Sequence, residues 1–552
     1  MEFFSFQDDE VYMDDISGIE EYVENQVGII FTDYDGQVGQ RLWFYDQFKP
    51  TILPAIIRIL QTQSSERLTP EKRGDMSEVA RFFAKMVDAN DDNGIIAGNW
   101  GKHLSDFAGG VYPWSWTRSA PIIEQYIETG KPVKYGQCWV YSAVLTTIFR
   151  ALGCPSRPIS NFNSGLSNSI DLVIDSLVNE ESEDSYWNFH VWTEVWMKRY
   201  GFTEFANGWQ AVDGTPQTIV PPSTTYGIGP ASVNFVWNAE IINPYETLFM
   251  YSAVNSDFLR WRRNRDGTFE VIDYPLTNKI GKLIVTKRKF PAHLLNSNIQ
   301  LYEDVSYLYK PREGSEDERK SFYSAAEQLN LTLYSRPTTR YRRAAGEPPI
   351  KMVSSLDPTV VGEPLRLRTT LFNLFPNDRA VDINVRIASI VYNGTLAERI
   401  LDKSVRVLMK PNQQFQVEAD DYLNKLVHRN LITICITAQI VGTDFQSYIF
   451  EDFKFSDPKL ELEIENHTPD LKVLTIKFKN SLPYDLTNCV YGIRSIHSFD
   501  KNVNTRTVKA KEEFVFHDVI HFEYPCVDVV NVILSCNEIN DLHAYKAIIF
   551  SP

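Results

Sequence analysis

The spacing of apolar residues changes character near residue 340, and that change divides what the chain can fold into. Before it, helical and strand-like patterns mix. ILPAIIRILQT (52–62) and MSEVARFFAKMVDA (76–89) carry apolar residues at helical intervals. After residue 350 the chain becomes a run of short alternating strands: PLRLRTTLF (364–372), DINVRIASIVY (382–392), LITICITAQIV (431–441), LKVLTIKFKN (471–480) and VVNVILSC (529–536). Turn residues separate them at the intervals of sandwiches and barrels. Between the two parts lies YSRPTTRYRRAAGEPP (334–349), without periodicity, which reads as an exposed linker. A tighter boundary near FKFSDPKLE (453–461) divides the second part. The expected organisation is α+β: one mixed domain over 1–345, then all-β barrel or sandwich domains over 346–455 and 456–552. RYRR (340–343) in the linker is either a proteolytic activation point or a passive connection.

The formal charge of −16 sets an acidic surface against phosphate backbones, so nucleic acid is not an expected partner. No run of 18 or more apolar residues occurs, so no membrane span is expected. MEFFSFQDDEVYMDD (1–15) lacks the basic and apolar regions of a secretory signal. The six cysteines (138, 154, 435, 489, 526 and 536) form no CxxC pair, and their sparseness fits a reducing compartment. A cytoplasmic location is the default expectation, with release by a route that needs no signal peptide left open.

KYGQCWVYSAVLTTIFRALGCPSRP (134–158) predicts a helix over 138–152, stopped by Gly153 and Pro155. Cys138 then stands at a helix N-terminus. Free backbone N–H groups and the helix dipole there favour a thiolate and can receive an oxyanion. Cys154 reads as a buried structural thiol. A cysteine nucleophile needs a base, and the base needs an acceptor that fixes its tautomer. His190, in the aromatic, strand-prone DSYWNFHVWTEVWMKR (184–199), and Asp213, in GWQAVDGTPQ (208–217), are the candidates.

The surrounding segments carry the specificity. YGQCWV (135–140), WNFHVW (187–192) and GWQAVDGTPQ (208–217) resemble, in order and separation, the catalytic segments of animal transglutaminases, the protein-glutamine gamma-glutamyltransferases. NDDNGIIAGNW (90–100), RPISNFNS (157–164) and EGSEDER (313–319) extend the resemblance. VYNGTL (391–396) and NSLPYDLTNCV (480–490) carry it into the two C-terminal β-barrels. It implies a papain-like catalytic core without the N-terminal β-sandwich usual in the family, and so no guanine-nucleotide control. It implies Cys138 as nucleophile, His190 as base and acid, Asp213 as orienter, and Trp100 as an indole donor to the oxyanion. Trp187 would flank the amine tunnel opposite Trp100, whereas Trp114, Trp116, Trp192 and Trp196 read as core. The implied substrates are glutamine-containing proteins and lysine-containing proteins or polyamines. Ammonia is released, and glutamine deamidation is the side reaction.

The family's cofactor is Ca2+, which favours clustered carboxylate and carbonyl oxygens. The resemblance implies three sites. VDANDDNG (87–94) supplies Asp88, Asn90 and Asp92; a second set joins Asn255 and Asp257 to Glu303, Glu313 and Glu318. The third, SGLSNSIDLVID (164–175), has Ser167 and Ser169 where relatives tend to be acidic and keeps Asp171, with Asp184 further on. Tyr422, in DDYLNKL (420–426), is expected to be the barrel tyrosine that hydrogen-bonds the resting cysteine. A cysteine protease or amidase shares the same three catalytic residue types. A scaffold with a dead site is the rival from another class. The paired tryptophans favour transfer to an amine over the first, and the intact Cys, His and Asp argue against the second.

Overall fold

A computed structural model of the chain describes residues 9–548 apart from 33–37, 63–67, 91–92, 169–170, 179, 181, 220–225, 243–245, 264–266, 273–274, 298, 332–349, 357–359, 411–412, 420–421, 427–429, 444–445, 469–470 and 523–526. The RYRR segment of the linker lies outside the described residues, as do Asp92 and Ser169.

The mixed N-terminal part is organised around one helix and one sheet. Helix α1 (Met76–Met86) is capped by Asp75, whose carboxylate accepts from Ser77 N and Glu78 N. Helix α2 (Cys138–Ala151) is buried along all 14 of its residues. A helix buried on every side must have its polar groups answered by protein. Ser142 Oγ donates to Trp192 O, Thr147 Oγ1 to Tyr45 O, and Arg150 to Ser156 O and Asn25 O. Gly153, at φ +82°, turns the chain out of the helix.

The strands that follow are β1 (Ser156–Leu166), β2 (Ser185–Met197), β3 (Gly208–Asp213), β4 (Ile228–Ser232), β5 (Leu283–Lys287) and β6 (Tyr302–Asp304). They form one antiparallel sheet in the order β6-β5-β1-β2-β3-β4. Strand β2 lies at its centre and is buried on both faces over most of its length, which explains its unbroken run of aromatic and β-branched residues. A smaller sheet joins Val173–Leu177, Asp257–Arg263 and Phe269–Val271.

Residues 350–454 form a three-stranded and a four-stranded antiparallel sheet, and residues 460–548 repeat that pairing. Leu365–Asn373 alternates buried and less buried positions throughout, the period-two signature of a strand with one face on a core. A single apolar cluster, including Val381, Ile434, Leu474, Tyr491 and Val532, runs through both β-regions. The strand Val490–Ser495 pairs with Asp528–Ser535 in a register that sets Val490 opposite Ser535. The flanking Cys489 and Cys536 therefore meet and form a disulfide, a pairing that cysteine count alone does not reveal.

Charged anchors fasten these β-regions to the N-terminal part. Arg41 and Asp541 form an ion pair with both side chains about 2% exposed. Arg118 holds Asp46 at 2.7 Å on one side and Asp500 at 2.7 Å on the other. Tyr186 donates to Asp452, and Arg262 to Tyr448. Removing one member of a buried pair strands the other charge. Asp541→Asn is therefore expected to cost roughly 3 kcal/mol, read as a lower urea midpoint by near-UV circular dichroism, and Arg41→Met with Asp541→Leu should recover much of it. An unchanged midpoint in Asp541→Asn would mean that the pair is no anchor.

Candidate active site

Cys138 is the first residue of α2 and is fully buried. The preceding residue, Gln137, is extended and donates its side-chain amide to Asn99 O at 2.7 Å. Asn99 N donates to Gly136 O, and Ile96–Gly98 pairs in parallel with Val133–Gly136. This stitching carries Trp100 to the start of the helix. It also demands glycine at 98, where a Cβ would come within 2.6 Å of the Trp100 ring.

His190 lies mid-way along β2 and Asp213 at the end of the adjacent β3. His190 Nε2 is 2.6 Å from Asp213 Oδ2, which leaves Nδ1 for the sulfur. Burial pulls the imidazole pKa down, but the Asp213 carboxylate and the Cys138 sulfur more than offset it and raise it from 6.5 to about 9. The ring is thus held as an imidazolium near neutral pH. Asp213 is itself braced by Thr215 N, which donates to Oδ1 at 2.9 Å. Cys138, His190 and Asp213 are brought together as the sequence predicts.

Trp100 and Trp187 face each other with ring centroids 6.2 Å apart, and Trp187 meets the His190 ring edge to face at 5.0 Å. A tyrosine from the first β-region touches both indoles, and it is Tyr392. Tyr422 is a correction to the sequence reading. Its hydroxyl donates to Glu363 O and accepts from Gly362 N, and its ring stacks on Phe455, inside the β-region and away from the cysteine. Tyr392 sits in the turn between the strands Arg379–Ile390 and Leu396–Met409. Its hydroxyl donates to Cys138 Sγ at 3.6 Å and accepts from Trp100 Nε1 at 2.9 Å and from the Cys138 backbone N–H. Tyr392 O accepts from Asn188 N, and the ring stacks on Phe189. Gly394, at φ +85°, lets the turn approach the core, where a Cβ would lie 2.7 Å from Tyr186 O. The signal in the sequence was VYNGTL (391–396), a turn motif whose tyrosine could not be placed at the cysteine without the packing of two regions.

Gln217 was also missed. Its carboxamide nitrogen lies 3.2 Å from His190 Nδ1 and 3.0 Å from Nε2. It closes the GTPQ turn that follows Asp213, so only three residues separate the two groups on one imidazole. Cys154, by contrast, behaves as read: its thiol is buried beside Met76 Sδ, and burial pushes its pKa up to about 12.

The carboxylates considered for Ca2+ are only partly assembled. Asp88 is buried and Asn90 exposed. Asn255 bonds Tyr251. Asp257 and Glu318 share Arg319, and Glu313 pairs with Lys310 at 2.5 Å. Glu303 does not join this group; it lies on β6, where Tyr22 and Lys289 are the side chains that feel its charge. Asp184 accepts from Asp175 N and feels the charges of Asp175 and Asp171. Burial and the repulsion of these neighbours, against bonds from Asn168 N and Asp175 N, raise the Asp184 pKa to about 6. Two observations fit a cation. One oxygen of Glu313 is buried without a hydrogen-bond partner, and the Asp175 and Asp171 carboxylates both repel that of Asp184. As they stand, no three metal-ligating side chains converge among the described residues. At the Glu313 cluster a cation would have to displace Lys310 and Arg319.

Comparison with known proteins places the arrangement. The Transglutaminase-like superfamily matches residues 113–214, which include Cys138, His190 and Asp213. The chain is 33% identical to human protein-glutamine gamma-glutamyltransferase K over 88% of its own length and 58% of that protein's. It is 32% identical to mouse protein-glutamine gamma-glutamyltransferase E over 88% of its length and 71% of the relative's. It thus spans little more than half of the first and under three quarters of the second. The crystal structure of red sea bream transglutaminase superposes with a TM-score of 0.82 at 26% identity, covering 99% of this chain and 80% of that one.

Because folding raises the His190 pKa, the imidazolium contributes stability that is complete below about pH 6.5 and is lost as pH rises through about 9. The difference in Tm between the wild type and His190→Gln should therefore shrink across that window. In Asp213→Asn, where burial is left less opposed, the loss should begin at lower pH. A difference that stays flat from pH 6.5 to 9 would mean that the ring is not held charged.

Proposed function

We propose, because this chain belongs to the transglutaminase family, that it joins protein glutamine side chains to primary amines through a thioester on Cys138. The observation that carries this reading is the convergence of Trp100 Nε1 and the Cys138 N–H on one oxygen beside the sulfur, the Tyr392 hydroxyl. Two fixed donors on one oxygen next to a nucleophile make an oxyanion hole, and each such donor is worth a few kcal/mol in the transition state, about 3 kcal/mol. In the resting enzyme the tyrosine fills it.

The Cys138 sulfur attacks the γ-carboxamide carbon, and the carbonyl oxygen takes the place of the Tyr392 hydroxyl. His190, held by Asp213, gives its proton to the departing ammonia. A lysine or polyamine nitrogen then attacks the thioester, His190 takes the proton, and an isopeptide bond forms. Trp100 and Trp187 shield the thioester from water, whose attack would give glutamate instead. Ca2+ is the proposed cofactor, and its part is to reorganise the loops that bear its ligands. Asp171, Asp175 and Asp184 would have to draw together to hold it, and Asn255, Asp257, Glu313 and Glu318 would have to shed Lys310 and Arg319 to do so.

The test is incorporation of a fluorescent primary amine into a glutamine-rich protein, with and without Ca2+. Wild type should label it and Cys138→Ala should not. Release of ammonia without labelling would replace the reading with a hydrolase. Tyr392→Phe removes the oxygen that engages both donors, so it should raise amine incorporation at low Ca2+ several-fold. Tyr422→Phe should leave the Ca2+ requirement as it is. Equal basal rates in wild type and Tyr392→Phe would end the gating role.

A further inference from the structure

Among the described residues, the Gln217 carboxamide meets one polar side chain, His190. Its nitrogen is almost equidistant from the two ring nitrogens and therefore in line with neither N–H. It lies against the ring between them, not at the end of a conventional hydrogen bond. The orientation of an amide is an assignment made from its surroundings, since exchanging oxygen and nitrogen leaves the shape unchanged. The surroundings here are a ring whose Nε2 faces the Asp213 carboxylate, which leaves Nδ1 for its bond with Cys138. When protonated, both ring nitrogens are donors and neither can accept. An amide N–H then has nothing to donate to, whereas the amide oxygen faces a cation.

We propose that Gln217 is a positioning residue for His190, its carboxamide oxygen turned to the protonated ring so that the imidazolium is held between Cys138 and Asp213. The turn supports this by its construction. Gln217 N donates to Thr215 O at 2.9 Å, Thr215 N donates to Asp213 Oδ1 at 2.9 Å, and Pro216 restricts the backbone between them. One short turn thus carries both groups that hold the ring, and their spacing is set locally. Once His190 has given up its proton, the amide can reverse and present its N–H to the neutral ring. The titratable groups facing the imidazole are Asp213 from β3 and Cys138 from α2, with the Tyr392 hydroxyl 3.6 Å from the sulfur.

The role does not depend on the identity of the acyl acceptor; only its kinetic arm rests on the transamidation reading. The primary measurement is the titration of His190 in the full chain, by NMR of histidine labelled with 13C at Cε1, its signal assigned by its loss in His190→Gln. Gln217→Met keeps the size of the side chain and removes the oxygen. It should lower the His190 midpoint by about half a pH unit or more, while Gln217→Glu should raise it. The alkaline limb of kcat for amine incorporation should move with each midpoint. A midpoint in Gln217→Met equal to or above that of the wild type overturns the proposal even if activity falls, since activity alone would report a structural role. If Gln217→Met does not fold, a midpoint in Gln217→Glu that fails to rise overturns it. Shifted midpoints in a protein that incorporates no amine would instead overturn the transglutaminase reading and leave Gln217 in its role.

Discussion

Everything at the site is referred to a helix that cannot move. With no face of α2 open to water, its polar side chains reach to neighbouring elements: Ser142 to the β2 backbone at Trp192, Thr147 to Tyr45 O, Arg150 to the carbonyls of Asn25 and Ser156. Close packing of this kind leaves no shallow gradient along which a helix could slide. The sulfur at its first residue is therefore fixed relative to the central strand, and the catalytic geometry becomes a question of register. Because β2 and β3 pair with Thr193 opposite Val212, a one-residue slip would turn His190 to the opposite face from Asp213.

The second constraint comes from outside the N-terminal part. The first β-region supplies a turn that joins the aromatic cluster of Trp100, Trp114, Trp139, Trp187 and Phe189. The turn is held there by one backbone hydrogen bond, a glycine that permits close approach, and ion pairs further out. Since both β-regions share a single apolar cluster, the anchors of the second region to the N-terminal part also bear on the position of Tyr392. The active centre is thus completed by residues almost three hundred positions apart in sequence.

How much of this could be read from the sequence follows the range of each interaction. The helix over 138–152 and the alternating strands after residue 350 are local patterns, and the structure holds them at Cys138–Ala151 and in the paired sheets. The Cys-His-Asp trio was legible because each member sits in a distinctive short segment. Tyr392 and Tyr422 both precede or begin turns in the first β-region, and only the packing of that region on the core decides which reaches the sulfur. Glu303 has the spacing of a ligand but sits on a strand facing Tyr22 and Lys289. The Cys489–Cys536 pair depends on strand neighbours 47 residues apart. Gln217 ends the segment GWQAVDGTPQ (208–217), yet nothing in its spacing says that its side chain turns back onto the histidine.

The crowding around Tyr392 has an optical side. Trp114, Trp139 and Trp187 each have a ring within contact of that phenol, and Trp100 donates to it. Indole emission is sensitive to what lies against the ring and to the water that reaches it. Any departure of the turn removes a common neighbour from four of the 11 tryptophans at once and replaces it with solvent. The active centre thus carries its own spectroscopic gauge, one that registers whether the slot is filled without a substrate, a label or a turnover.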